Sequence, residues 1–141
     1  MLIEKVLSRA QVKATAGRDT RVVSSDGVLD LKVSLPRELG GTNGRGNNPE
    51  QLFAASYAAC FLGMMRLVAR RESIELPTET EVEASVGMGP IPQGFGIEVE
   101  LRICLPGLPR AEADSLVEKA HAVCPYSNAT RDNVHVRLVI A

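Results

Sequence analysis

The sequence predicts an α+β fold with the element order βββ-α-ββ-α-β, a sheet packed on a buried helix. Three observations lead there. A long apolar run opens behind a helix-start signal at Asn48-Pro49-Glu50. The hydrophobic period changes to two after Pro77. A second, amphipathic run opens at Pro109 and is closed by Pro125.

Residues 3–16 mix Val6, Val12 and Ala14 with Glu4, Lys5, Arg9 and Lys13, the pattern of a half-buried strand ending at Gly17. From Val22 to Leu35 the Asp26-Gly27 pair sits between apolar residues and predicts a hairpin, because these two residue types tolerate the turn geometry. Pro36 to Asn48, with glycines at 40, 41, 44 and 46, reads as a loop. A helix then follows to about Arg71: Asn48 caps it, Pro49 suits its first turn, and Glu50 meets the positive end of its dipole. Leu52 to Met65 is apolar on every face, so the helix is expected to be surrounded by protein. Ala54, Ala55, Ala58, Ala59 and Gly63 leave room for another backbone. Val82, Ala84, Val86 and Met88, then Ile97, Val99, Leu101 and Ile103, alternate with small, polar or charged residues and predict two antiparallel strands. Leu116, Val117, Ala120, Val123 and Cys124 form the inner side of the second helix, and Val134, Val136, Leu138 and Ile140 a final strand.

Composition bounds the function. A chain of 141 residues without repeat or linker is expected to be one domain, 1–141, long enough to fold without a staple. Sixteen Lys plus Arg against seventeen Asp plus Glu leave no basic excess for nucleic acid. The first residues lack a signal-peptide core, and the longest uncharged stretch, Leu52 to Met65, has 14 residues where a spanning helix needs about 20. A soluble cytoplasmic protein without membrane insertion is the expectation. Three cysteines and two histidines show no zinc-ligand spacing, so no metal is expected, and no Lys-Ser/Thr follows the glycines to make a phosphate loop.

The cysteines carry the chemistry. Cys60 lies mid-helix with Phe53, Ser56, Tyr57, Gly63, Met64 and Leu67 on its face; it is either a small buried hydrophobe or a thiol that needs a cation brought from elsewhere. Cys124, at a helix end beside Pro125, suits a resolving thiol and equally an apolar helix terminus. Cys104 faces the polar side of its strand and reads as incidental. Three pairings are possible and spacing does not choose among them. Arg18, in a Gly17-Arg18-Asp19 turn, is the candidate cation or else a solvated loop arginine. His121 is a candidate base for a cysteine hydrolase, or else caps the helix end or meets solvent.

Two segments are specific: Asn48-Pro-Glu-Gln-Leu-Phe-Ala-Ala-Ser-Tyr-Ala-Ala-Cys60-Phe and Ala120-His-Ala-Val-Cys-Pro-Tyr-Ser-Asn-Ala-Thr-Arg131. They closely resemble the two cysteine motifs of the organic hydroperoxide resistance proteins, within the OsmC-like superfamily. Gly17-Arg18-Asp19 with Ser24-Ser25-Asp26-Gly27, Pro36 to Gly41 and Gln93 to Ile97 extend the resemblance over the chain. It implies an intertwined homodimer with long central helices between antiparallel β-sheets, and a thiol peroxidase that reduces organic hydroperoxides to alcohols. It further implies Cys60 as the peroxidatic thiolate, Cys124 as the resolving thiol, Arg18 as the group that lowers the Cys60 pKa, and Glu50 as the residue that orients Arg18. Dihydrolipoamide on a lipoylated protein is the implied reductant, with no metal or haem. Thr20, Ser56 and Asp132 stand where members commonly carry glycine, and Cys104 lies outside the pattern. Phe53, Met64, Leu67 and Phe95 are the expected apolar lining for an alkyl or fatty-acyl peroxide. Glu50 and Cys60 are ten residues apart, about 15 Å along one helix, so the expected arrangement has Arg18 reaching the Glu50 and Cys60 of different subunits. A cysteine hydrolase or transferase and a non-catalytic dimeric binding module for small apolar ligands are the alternatives.

Overall fold

The hairpin signal at Asp26-Gly27 is where the chain turns. In a computed structural model that describes residues 1–42, 44 and 46–141, strands β1 (Val12–Thr15), β2 (Thr20–Ser24) and β3 (Asp30–Val33) form an antiparallel sheet in that order. The Asp26 carboxylate accepts from the Ser24 hydroxyl (2.5 Å) and the Val28 backbone N–H (3.0 Å), and Gly27 takes a left-handed φ of 75°. The predicted strand over residues 3–16 is shorter than expected. Only Val12–Thr15 pair, and every residue of β1 is exposed, because β1 is an edge strand whose pairing needs stop with its partner Ser24. The 36–48 loop holds a single 3-10 turn at Arg37–Leu39, closed by Gly40 at φ 80°. Gly41 packs on Leu35 so tightly that a Cβ there would lie 2.0 Å from the Leu35 carbonyl oxygen. Positions 43 and 45 of that predicted loop lie outside the described residues.

Helix α1 runs Pro49–Arg71. Its cap is reciprocal: the Gln51 N–H donates to Asn48 Oδ1 at 2.8 Å, and the Asn48 N–H donates to Gln51 Oε1 at 3.0 Å. Strands β4 (Glu81–Ile91) and β5 (Gly94–Cys104) follow as one antiparallel hairpin with a two-residue turn at Pro92-Gln93. Then come α2 (Arg110–Val123), α3 (Pro125–Thr130) and β6 (His135–Ile140). Strand β6 pairs with β5 in parallel, so this second sheet is mixed and not antiparallel throughout. A parallel neighbour requires a long return path, and α2 with α3 supply it. Helix α3 is a correction too: Pro125 ends α2 as expected, but its fixed φ also places it first in a new short helix.

The chain divides into two compact units, Met1–Leu52 and Phe53–Ala141. The core belongs to the second. Tyr57, Phe61, Met65, Val68 and Ala69 of α1 pack with Val99, Leu101 and Ile103 of β5 and with Ala113, Leu116, Val117 and Ala120 of α2. Val123, expected on the inner side of α2, is 40% exposed because Cys124 takes the inward position at the helix end. Helix α1 is long and apolar enough to cross a membrane by length and composition, further than its uncharged stretch indicated. It is not surrounded within the chain. One stripe is buried, whereas Ala55 and Ala59 are exposed and a Cβ at Gly63 would meet nothing within 4 Å. Sheet and α2 cover one side of a cylinder, and the far side needs another surface.

Candidate active site

Two sulfurs 64 residues apart in sequence meet in the second unit: Cys124 Sγ stands 3.9 Å from Cys60 Sγ. Both are free thiols, and the separation is roughly twice the ~2.05 Å of a disulfide, so a bond needs only a short approach. Cys60 is partly exposed on α1; Cys124 is fully buried where α2 gives way to α3. The extended backbone of Cys124 (φ −66°, ψ 123°) is the geometry a residue before proline prefers, which is why the sequence bends there.

The surroundings hold Cys60 neutral. Burial, followed by the charge and hydrogen bond of Cys124, pushes the Cys60 thiol up to about 11, while the Tyr126 backbone N–H acts against that rise. A proton held that firmly leaves roughly one thiolate in 10⁴ at pH 7. A reactive sulfur here needs a positive charge near it.

Around the sulfurs lies a polar and aromatic cluster. Tyr57, fully buried, is hydrogen-bonded through its hydroxyl to Ser127 Oγ at 2.8 Å and to Thr130 Oγ1 at 3.4 Å. His121 Nδ1 is bonded to the same Ser127 Oγ at 2.8 Å, and Arg131 donates to the His121 carbonyl at 2.8 Å. His121 therefore neither caps the helix nor faces solvent. Burial, and secondarily the Arg131 charge, hold it below the ordinary histidine value. Phe53, Tyr57 and Tyr126 form an edge-on aromatic group with centroids 5.8–6.5 Å apart.

Of the expected lining residues, Phe53 and Met64 pack against the core cluster. Leu67 is half-buried on α1, and Phe95, near the tip of the β4–β5 hairpin, is 64% exposed. Arg18 is exposed in a bend before β2 and makes no side-chain hydrogen bond or ion pair among the described residues; Glu50 is half-buried in the first turn of α1. Both fall in the first unit and both cysteines in the second. Cys104, paired across the sheet with Glu81, is a free thiol at the end of β5. No group of three or more His, Cys, Asp or Glu able to hold a metal occurs among the described residues. Sequence reasoning missed Tyr126, Ser127 and Thr130. The available signal was Pro125 itself, which starts a helix as readily as it stops one and thereby puts Ser127 and Thr130 on the inward face.

Mixed sheet, long helix and facing thiols define a two-cysteine α+β protein. The family model described as OsmC-like protein matches residues 41–139, and the chain belongs to that family, in its organic hydroperoxide resistance branch. An organic hydroperoxide resistance protein of Xanthomonas axonopodis pv. citri is 60% identical over 138 residues, covering 98% of this chain and 97% of its own length. OhrA of Bacillus subtilis is 43% identical over 96% of each chain. Among solved structures, an organic hydroperoxide resistance protein of Legionella pneumophila superposes with a TM-score of 0.90 at 46% identity, covering 97% of this chain and 99% of that one. A Vibrio cholerae relative, 42% identical with a TM-score of 0.88 over 97% of this chain and 94% of that one, carries captopril in one of its active sites.

Proposed function

We propose that the chain is a thiol peroxidase that reduces organic hydroperoxides to alcohols. The Cys60 thiolate attacks the terminal oxygen of R–O–O–H; the O–O bond breaks, the alkoxide leaves and takes a proton as alcohol, and Cys60 becomes a sulfenic acid. The Cys124 sulfur then attacks the sulfenic sulfur, and hydroxide leaves with the Cys124 proton as water. The resulting disulfide is reduced by an external dithiol of the lipoyl type, which becomes a disulfide in turn. The observation that carries this reading is the 3.9 Å separation of Cys60 and Cys124 in a chain of the organic hydroperoxide resistance family. Captopril, a small thiol, in an active site of the Vibrio cholerae relative is in keeping with a small-thiol reductant.

The cation in this reading is Arg18, oriented by Glu50. A guanidinium within hydrogen-bonding reach lowers a pKa by about 1–3 units and offsets the burial that lifts Cys60. Its planar fork presents two donors at once, to carboxylate and to sulfur or peroxide oxygen. The proposed assembly is a homodimer in which two copies of α1 pair antiparallel along their bare small-residue faces, bringing Glu50 of one subunit towards Cys60 of the other. Apolar side chains about Cys60, with Phe53 and Met64 foremost, favour bulky alkyl or acyl peroxides over hydrogen peroxide by about 0.8 kcal/mol per buried methylene.

Cumene hydroperoxide added to the reduced protein tests the reading. Two free thiols per chain should disappear faster than with hydrogen peroxide, and peptide mapping should recover Cys60 linked to Cys124. Persistence of both thiols, or a linkage through Cys104, would overturn it.

A further inference from the structure

The two sulfurs are held in register by a hydrogen bond one turn away. Tyr57 precedes Cys60 by three residues on α1, and Ser127 follows Cys124 by three residues on α3. The Tyr57–Ser127 hydroxyl pair at 2.8 Å and the sulfur pair at 3.9 Å are thus two rungs between the same two segments. Ser127 is fully buried, and its oxygen is bonded also to His121 Nδ1 in the last turn of α2, at 2.8 Å. Thr130, one turn on, donates to the Ser127 carbonyl at 3.2 Å and meets Tyr57 Oη at 3.4 Å. One hydroxyl therefore joins α1, α2 and α3, the three elements that meet at the thiols. A serine hydroxyl offers one proton and two lone pairs, enough for both partners at once.

We propose that Ser127 is a positioning residue for the second thiol: anchored to Tyr57 and His121, it holds the Cys124–Pro125 bend over Cys60, so that disulfide formation outruns further oxidation of the sulfenic acid. The inference rests on the two-thiol reading above and deepens it. A sulfenic acid has two fates here. Attack by the Cys124 sulfur gives the disulfide and releases water, in a step first order in protein. Attack by the sulfenate on a second hydroperoxide gives sulfinic acid and a second alcohol, in a step that grows with peroxide. The partition therefore reads out how often Cys124 is in place. A buried rung removed from this frame leaves partners unsatisfied and the bend less populated in its bonded position, an effect of about tenfold.

The test compares wild type, Ser127→Ala and Tyr57→Phe, the last removing one oxygen and no packing. Each reduced protein is titrated with cumene hydroperoxide, and intact mass gives the ratio of disulfide to sulfinic acid. Equilibration with dithiothreitol gives the stability of the disulfide itself. Both variants should show the ratio lowered about tenfold, and a thiol–disulfide equilibrium displaced towards the dithiol by the same factor, about 30 mV for a two-electron couple. The second readout does not follow a general loss of folded protein. If Ser127→Ala fails to fold, Tyr57→Phe alone decides. Unchanged ratio and equilibrium in a wild type that does form the Cys60–Cys124 bond would overturn the role of Ser127 only; a wild type that forms no such bond would remove both this inference and the peroxidase reading.

Discussion

The two units of the chain are built on opposite terms. Phe53–Ala141 encloses its own core, with Tyr57, Phe61, Met65, Leu101, Ile103 and Leu116 fully buried. Met1–Leu52 has a three-stranded sheet in which Val33 is the one buried hydrophobic side chain among the described residues. Its first strand is exposed throughout, and Met1, Leu2, Ile3 and Leu7 are bare. The unit with the sulfurs is thus self-supporting, and the unit with Arg18 and Glu50 is not. Chemistry that has to be kept at a fixed distance, one sulfur from another, sits in the dense part. The charge that has to be delivered sits in the part whose apolar residues still lack a cover.

That contrast makes graded predictions. The largest concerns the dense unit: Leu101→Ala should cost about 2–5 kcal/mol in denaturant unfolding, since it empties a fully enclosed site; a cost below 1 kcal/mol would mean that this core is not what holds the unit. Next, Arg18→Ala or Arg18→Lys should slow peroxide turnover about 10- to 1000-fold, the weight of 1–3 pKa units, without lowering the melting temperature. Alkylation of Cys60 followed against pH should then move up towards about 11, the value burial and Cys124 dictate in the absence of a cation. Near-wild-type turnover in either variant would break the division of labour between the units. A smaller effect belongs to His121, whose folded pKa lies below its ordinary value. The unfolded chain then binds the proton more readily, so the contribution of His121 is complete above that ordinary value and drains away as pH falls through it. Urea midpoints measured across this range should decline in wild type more than in His121→Gln. The smallest is Asp30→Asn in the open sheet. It removes a two-point pair with Arg21, at 2.7 and 2.8 Å, yet both side chains are well exposed and the loss should stay under about 1 kcal/mol.

What could be read in advance followed the same division. The β4–β5 hairpin was legible because Val99, Leu101 and Ile103 point into a core and so alternate cleanly with Glu98, Glu100 and Arg102. Asn48 and Pro49 marked the start of α1 to the residue, although the partner that completes the cap is Gln51, with Glu50 supplying only its charge. The first strand was overestimated since Val6 and Val12 look like a buried face, and nothing in their order says what they bury against. The direction of β6 was not legible, because an alternating strand reads alike in either orientation. At the site, both cysteines stood out by position, but their pairing needed the fold: 64 residues separate them, and only the return through α2 brings Cys124 back to α1. Ser127 gave no local signal beyond the proline two residues earlier.

The parallel seating of β6 beside β5 carries a consequence for how this chain tolerates change. Because the polypeptide has to travel back the whole length of the hairpin before it can re-enter the sheet, the bend bearing Cys124 is a milestone on a route of set length. Extra residues around Pro106-Gly107, ahead of that route, can be absorbed as slack at the surface, where both are exposed. A single residue inserted between Ala120 and Ser127 would turn the following helix by about 100°, carrying the thiol away from its counterpart while the strands on either side stayed paired.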